Sequence, residues 1–304
     1  MAARIRESDS EAPGERHDPE LKQVLVCADD FGLHSAVDAA IFELAAGRRL
    51  GAASCLVDGP SFRESAVNLP GTGLQCGLHL NFTEAMGDAA MCLPLGRLIR
   101  ACWARRLDRS ALRREISRQL DLYERITGRA PDYVDGHQHV HQFPQIREAL
   151  IGELNRRYPP SGVRPWLRST LPGAQPGVPL GIRAKAAIIA ALGGRRNRLL
   201  ADREGFRSNG RFLGVYGFQG GASAYAALLR HWLAAARDGD LIMCHPALEA
   251  VPGDALAEQR RAEYETWCSD ETGRLLREYG LRVTANAGFS RPAESPTRRQ
   301  APAA

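Results

Sequence analysis

The sequence predicts an α/β protein: a single (β/α) barrel of seven or eight parallel strands, with room for distortion. Three observations predict it. Short apolar, β-rich runs alternate with longer amphipathic stretches along most of the 304 residues, the pattern of repeated βα units around a parallel sheet. The residues able to carry chemistry fall at the C-terminal ends of at least four different strands, where barrel enzymes assemble their sites. A composition of 44% hydrophobic and 25% charged residues over this length suffices for one large core. An open doubly wound sheet gives a similar alternation and is the main rival.

Taken in order, residues 1–20 contain no apolar run, and residues 290–304 are rich in Pro, Ser and Ala. Neither composition repays its ordering entropy, so both read as disordered ends of a barrel domain over 21–289. The fully apolar Val24-Leu25-Val26-Cys27-Ala28 predicts a strand over 23–28, and an amphipathic helix over 34–47 follows Asp29-Asp30-Phe31-Gly32. A β-rich run at 52–57 precedes a helical stretch at 61–68, and Leu74-Gln75-Cys76-Gly77-Leu78 starts a strand over 74–81. The succession continues with helix 110–127, strand 131–136, helix 144–157, strand 163–168, helix 183–192 and strand 211–215. Helix 222–237, strand 240–244, helix 255–279 and strand 281–285 complete a TIM-like order.

A net charge of +5 is modest for this size and is no nucleic-acid footprint. Seven cysteines occur without a CxxC pair, and Cys27, Cys55, Cys76 and Cys244 lie inside apolar runs, which points to buried thiols in a reducing compartment. There is no apolar leader in the first twenty residues, and eighteen uncharged apolar residues nowhere run together. The expectation is a cytoplasmic protein.

Four strand-end motifs carry the chemistry. Asp29 and Asp30 are adjacent, so they leave the strand in different directions and are able to do two jobs; the structural alternative is a pair of helix-capping carboxylates. His79 ends an apolar run in Gly77-Leu78-His79-Leu80, a position that a hydrogen-bonding histidine also fills. In Asp135-Gly136-His137-Gln138-His139-Val140-His141 the three imidazoles are spaced by two, so on a continuing strand they share one face. Three buried imidazoles on one face require a polar or metallic partner, and Asp135 is placed to orient a ligand histidine. His245 follows Leu241-Ile242-Met243-Cys244 and precedes Pro246, a position suited to an acid or base.

These motifs, in this order, resemble the YdjC-like carbohydrate deacetylase family, which includes diacetylchitobiose deacetylases and hopanoid-associated relatives. The resemblance runs from about Gln23 to Thr284. It implies a divalent metal held by Asp30, His79 and His137, with Asp29 as general base and His245 as general acid in removal of an acetyl group from an N-acetylated sugar or glycolipid. The mixed donor set suits Zn, Mn, Co or Fe by softness, and the resemblance adds Mg, so that Mg and Zn lead. Where relatives often carry Ser and a small or apolar residue, this chain has His34 and Asn81, and residues 183–211 read as an insertion.

Other readings are a metal-dependent hydrolase of a phosphoester or cyclic amide, for which no Gly-rich phosphate loop is found, and a non-catalytic metal- or glycan-binding module, which has no need of Asp29 and His245. The apolar stretch 182–192, followed by Arg195, Arg196 and Arg198, reads as an ordinary packed helix with a solvated basic end, or else as a lid or a membrane-touching surface. Arg164, Trp166 and Arg168 alternate on one strand face and are able to stack and hydrogen-bond a sugar, with a rim salt bridge as the equal alternative. The expected partners are the sugar or glycolipid substrate and no nucleic acid, with membrane contact a minor alternative and homodimerisation open.

Overall fold

Period-two alternation governs the first strand, β1 (Lys22–Phe31). Val24, Val26 and Ala28 join the core layer beneath the helices, while Leu25 and Cys27 join a second cluster inside the barrel with Ala52, Tyr133, Trp166, Phe212, Leu241 and Met243. The computed structural model describes residues 21–285 and Phe289, so the predicted disordered ends at 1–20 and 290–304 lie outside the described residues.

Around β1 are β2 (Ala52–Cys55), β3 (Gln75–Leu80), β4 (Tyr133–Gly136), β5 (Trp166–Leu167), β6 (Phe212–Leu213), β7 (Leu241–Cys244) and β8 (Leu281–Val283). The helices are α1 (Ser35–Ala46), α2 (Phe62–Ser65), α3 (Leu95–Trp103), α4 (Arg109–Thr127), α5 (Ile146–Arg157), α6 (Leu180–Ile189), α7 (Arg195–Arg203), α8 (Gly221–Ala235), α9 (Ala257–Cys268) and α10 (Asp270–Glu278). The sheet is parallel at every pairing and runs β5-β4-β3-β2-β1-β7-β6, with β8 on the first residues of β1.

This is the expected barrel in distorted form. Among the described residues no strand ladder joins β5 to β6. The seam is bridged instead by Leu167 N–H to Arg207 O and Phe212 N–H to Leu171 O, both 2.9 Å. Asn209 also accepts from Ser169 N–H at 2.8 Å and donates to Ser169 O at 3.1 Å. Pro165, immediately before β5, removes a ladder donor and helps keep the strand short.

All eight predicted strands are present, but two local expectations change. The long helix over 255–279 is two helices: Ser269 ends α9 in extended backbone and caps α10, its Oγ accepting from Thr272 N–H at 3.2 Å. The segment 137–142 is no strand continuation but a 3₁₀ turn, with Gln138 and His139 at φ +50° and +61°. Its three histidines therefore do not share a strand face. Helices α3 and α7 went unpredicted. Among the described residues no helix is long and apolar enough to cross a membrane.

Candidate active site

The interior positions that fill the barrel lead, two residues on, to its polar floor. Asp29 follows Cys27 on β1, His79 follows Gly77 on β3, and Asp135 follows Tyr133 on β4. Arg168 comes after Trp166, and His245 after Met243. Gly77 is required below His79: a Cβ there would lie 2.4 Å from the Tyr133 ring, which stacks on Trp166 at 4.2 Å.

Asp30 would fall on the outer face by strict alternation. A bulge between Ala28 and Phe31 in the β1–β2 register, with Asp30 at φ +70°, brings both carboxylates to the same mouth. Neither caps a helix. The N-cap of α1 is His34, whose Nδ1 accepts from Val37 N–H at 3.4 Å, and Asp38 takes the Gly32 N–H at 2.6 Å. His34 also pairs with Asp254 at 3.3 Å, and Asn81 folds its own loop by accepting from the Thr83 and Glu84 N–H groups.

Asp30, His79 and His137 converge. Asp30 Oδ1 lies 3.4 Å from His79 Nε2 and 3.0 Å from His137 Nδ1, and one donor atom from each residue lies within 4.8 Å of the others. Donors sharing one ion at bond lengths of about 2.0–2.2 Å are separated by roughly 3.0–3.5 Å, so the set fits a divalent metal. Two of the three donors are held from behind: Asp30 Oδ2 accepts from Arg260 at 2.7 Å, and His79 Nδ1 lies 2.7 Å from Asp135 Oδ1. The orienting role expected of Asp135 thus falls on His79 rather than on its sequence neighbour His137.

Asp29 stands apart. Both its oxygens accept from Arg168 at 2.6 Å, and Arg168 Nη2 also lies 2.6 Å from Asp135 Oδ2 and 3.0 Å from Cys27 Sγ and Ser54 Oγ. Cys27, Asp29 and Asp135 form a second group of metal-ligand type, but the guanidinium already sits among them. Arg168, read in sequence as a sugar contact or a rim salt bridge, makes the salt bridge, but buried among Asp29 and Asp135 rather than at the rim. It shares the barrel-facing parity of Trp166, yet both are buried, so the sugar-stacking expectation fails. Arg164 lies elsewhere, its guanidinium 3.6 Å over the Phe206 ring.

Burial would raise Asp29, but Arg168, aided by His79, holds it well below the usual carboxylate range; Arg260 and His137 do the same for Asp30 against the same penalty. Burial opposes charge on His79 as well, yet Asp135 and Asp29 raise it to about 10, and Asp30 raises His137. The carboxylates thus favour a cation at these nitrogens, proton or metal. His245 is the opposite case: burial lowers it to about 4, so its ring is neutral at neutral pH. Its backbone N–H donates to Glu263 at 2.7 Å, and its ring meets the edge of Phe218 at 4.9 Å.

All five predicted residues line one cavity of about 650 Å³, within the range of small-molecule sites. Its far wall is apolar, with Leu33, Ile189, Val215, Phe218, Val251 and Leu256 among the lining residues. Helix α6 contributes to this wall through Lys185 and Ile189 and leaves Leu180 and Ile188 exposed on its outer side.

A family model described as YdjC-like protein matches residues 23–278. The chain is 29% identical to a Homo sapiens carbohydrate deacetylase over 145 residues, 43% of this chain and 45% of that protein. It is 33% identical to an Escherichia fergusonii chitooligosaccharide deacetylase over 132 residues, 40% and 52% of the two chains. The chain spans about half the length of the curated relatives it matches. A solved Enterococcus faecalis V583 protein, provisionally named a cellobiose-phosphate cleavage protein, shares the fold, with TM-score 0.61 and 20% identity over 88% of this chain and 98% of that one. With a family model covering the sheet from β1 through α10 and every residue of the site, the chain belongs to the YdjC-like protein family.

Proposed function

We propose that this chain is a metal-dependent N-deacetylase of N-acetylated sugars, in keeping with the names its relatives carry. One observation carries the reading: a three-donor set able to hold a divalent ion opens on the same cavity as an Asp that Arg168 keeps ionised and a His that no ligand set uses. A divalent ion on Asp30, His79 and His137 would polarise the acetamide carbonyl and acidify water beside it. Zn and Mg are the leading ions.

Asp29 is the proton acceptor. As water oxygen bonds to the acetyl carbon, one water proton passes to its carboxylate, whose position Arg168 fixes by two hydrogen bonds. When the C–N bond breaks, the nitrogen takes a proton from His245, leaving acetate and a free amine. His245 rests neutral, so the proton it delivers is the one Asp29 took from water, passed on within the cavity both residues line. Asp29 ends the cycle ionised, and the proton of the acetic acid goes to solvent. Asp135 keeps the His79 ring turned with Nε2 toward Asp30, and Arg260 holds the second oxygen of Asp30 away from the donor set.

The test is acetate release from a panel of N-acetylglucosamine oligosaccharides and glycolipids, with chelated and metal-restored protein compared. Metal-dependent release is expected. A protein that binds metal yet releases no acetate from any member would overturn the proposal.

A further inference from the structure

Five histidines line the cavity: His34, His79, His137, His139 and His245. Three have protein partners at their rings. His34 meets Val37 N–H and Asp254, His79 meets Asp30 and Asp135, and His137 meets Asp30. Among the described residues no hydrogen bond reaches either ring nitrogen of His139 or His245, and in both the Nδ1 atom is buried without a partner. His245 already has a proposed role. His139 has none.

The backbone supports more than coincidence. Gln138 and His139 are consecutive non-glycine residues in the left-handed region, where each L side chain costs on the order of 1–2 kcal/mol. The turn follows directly on His137 and keeps the next imidazole on the cavity wall. Below it the ring is fixed against Phe212, edge to face at 5.5 Å. The enclosed Nδ1 is out of a ligand's reach, but Nε2 is not enclosed and meets no protein partner among the described residues, so a strained, packed ring on the cavity lining keeps one nitrogen free for a ligand.

We propose that His139 is a substrate-binding residue that hydrogen-bonds a hydroxyl of the bound sugar next to the acetamide. This rests on the deacetylase reading. The Nε2 of a neutral imidazole donates or accepts according to tautomer, and a sugar hydroxyl answers in either sense, whereas the acetamide is engaged by the metal donors and Asp29.

The test pairs two variants. His139→Phe keeps the ring and its contact with Phe212 but removes both nitrogens; His139→Asn keeps a donor and an acceptor and tolerates the left-handed backbone. Each is measured for zinc stoichiometry, thermal midpoint, kcat and KM on an N-acetylglucosamine disaccharide, and calorimetric affinity for the deacetylated product. The expected result is unchanged zinc content in both, a KM raised about 10–100-fold with weakened product binding in His139→Phe, and partial recovery in His139→Asn. Parent-like KM and product affinity in His139→Phe, or zinc lost from both variants, overturns the inference while the deacetylase reading stands. No acetate release by the parent removes the reading itself, and the inference with it.

Discussion

The floor and the far wall of the cavity are built on opposite terms. On the floor, Asp29, Asp30, His79, Asp135 and Arg168 are buried and joined by contacts of 2.6–3.4 Å; within this set Asp29 is held by Arg168 alone, and each of the others is fixed from at least two directions. The apolar lining is assembled from Ile189, Phe218, Val251 and Leu256, drawn from α6 and two loops, and its polar ties run through a few residues such as Asp254, which accepts from Leu256 N–H at 2.8 Å and Arg260 at 2.7 Å. Lys185 is another, its Nζ donating to Tyr216 O at 2.6 Å. Under the proposed function, the contrast gives the reaction to the floor and the choice of sugar to the wall, because a fixed polar constellation sets chemistry whereas apolar loop surface sets fit.

The sharpest way to break this division is Asp29→Asn beside His137→Ala. Asp29→Asn should keep its metal and lose about 10²–10⁴-fold in kcat, while His137→Ala should lose the metal itself; elemental analysis and acetate release read both. Retained turnover in Asp29→Asn would end its assignment as base. Next in size, Arg168→Met leaves Asp29 and Asp135 buried without their cation and should destabilise the fold by about 3–5 kcal/mol, seen as a lower urea midpoint. An unchanged midpoint would show the floor to be less constrained than its contacts imply.

Asp135→Asn should weaken zinc binding about 10–100-fold in a competition titration. In the same titration, affinity in the parent should rise with pH from about 6.5 toward 10, because His79, raised to about 10, must shed its proton to bind. Calorimetry in two buffers of different ionisation heat should register that proton release, and a pH-independent affinity would remove His79 from the ligand set. The smallest effect is expected from the wall: Ile189→Ala should raise KM a few-fold and leave kcat near the parent value. A collapse of kcat there would blur the division.

Strand positions were legible because apolar runs of four to six residues stand out between amphipathic stretches, and β1, β3 and β7 announce themselves this way. Asp29, His79 and His245 were legible as polar residues closing apolar runs, while the ligand set Asp30, His79 and His137 came from the resemblance of the motifs. The turn at Gln138–His139 was not legible, since no glycine marks it and the two-residue spacing of histidines mimics a strand. Nor was the burial of Arg168, whose partner Asp29 lies 139 residues away and whose local neighbours suggest a rim. The bulge that turns Asp30 toward Asp29 depends on pairing with β2, which adjacency in sequence does not reveal.

The guanidinium lodged between Asp29, Asp135 and Cys27 has a consequence for stoichiometry. Two acidic pockets lie side by side on this floor, an arrangement from which binuclear hydrolases are made. Here the second berth is filled by a cation the chain cannot lose, since arginine stays protonated at any accessible pH. On the proposed metal-dependent reading, the protein supplies one of two positive charges covalently and leaves the other exchangeable, which would limit this floor to a single bound ion.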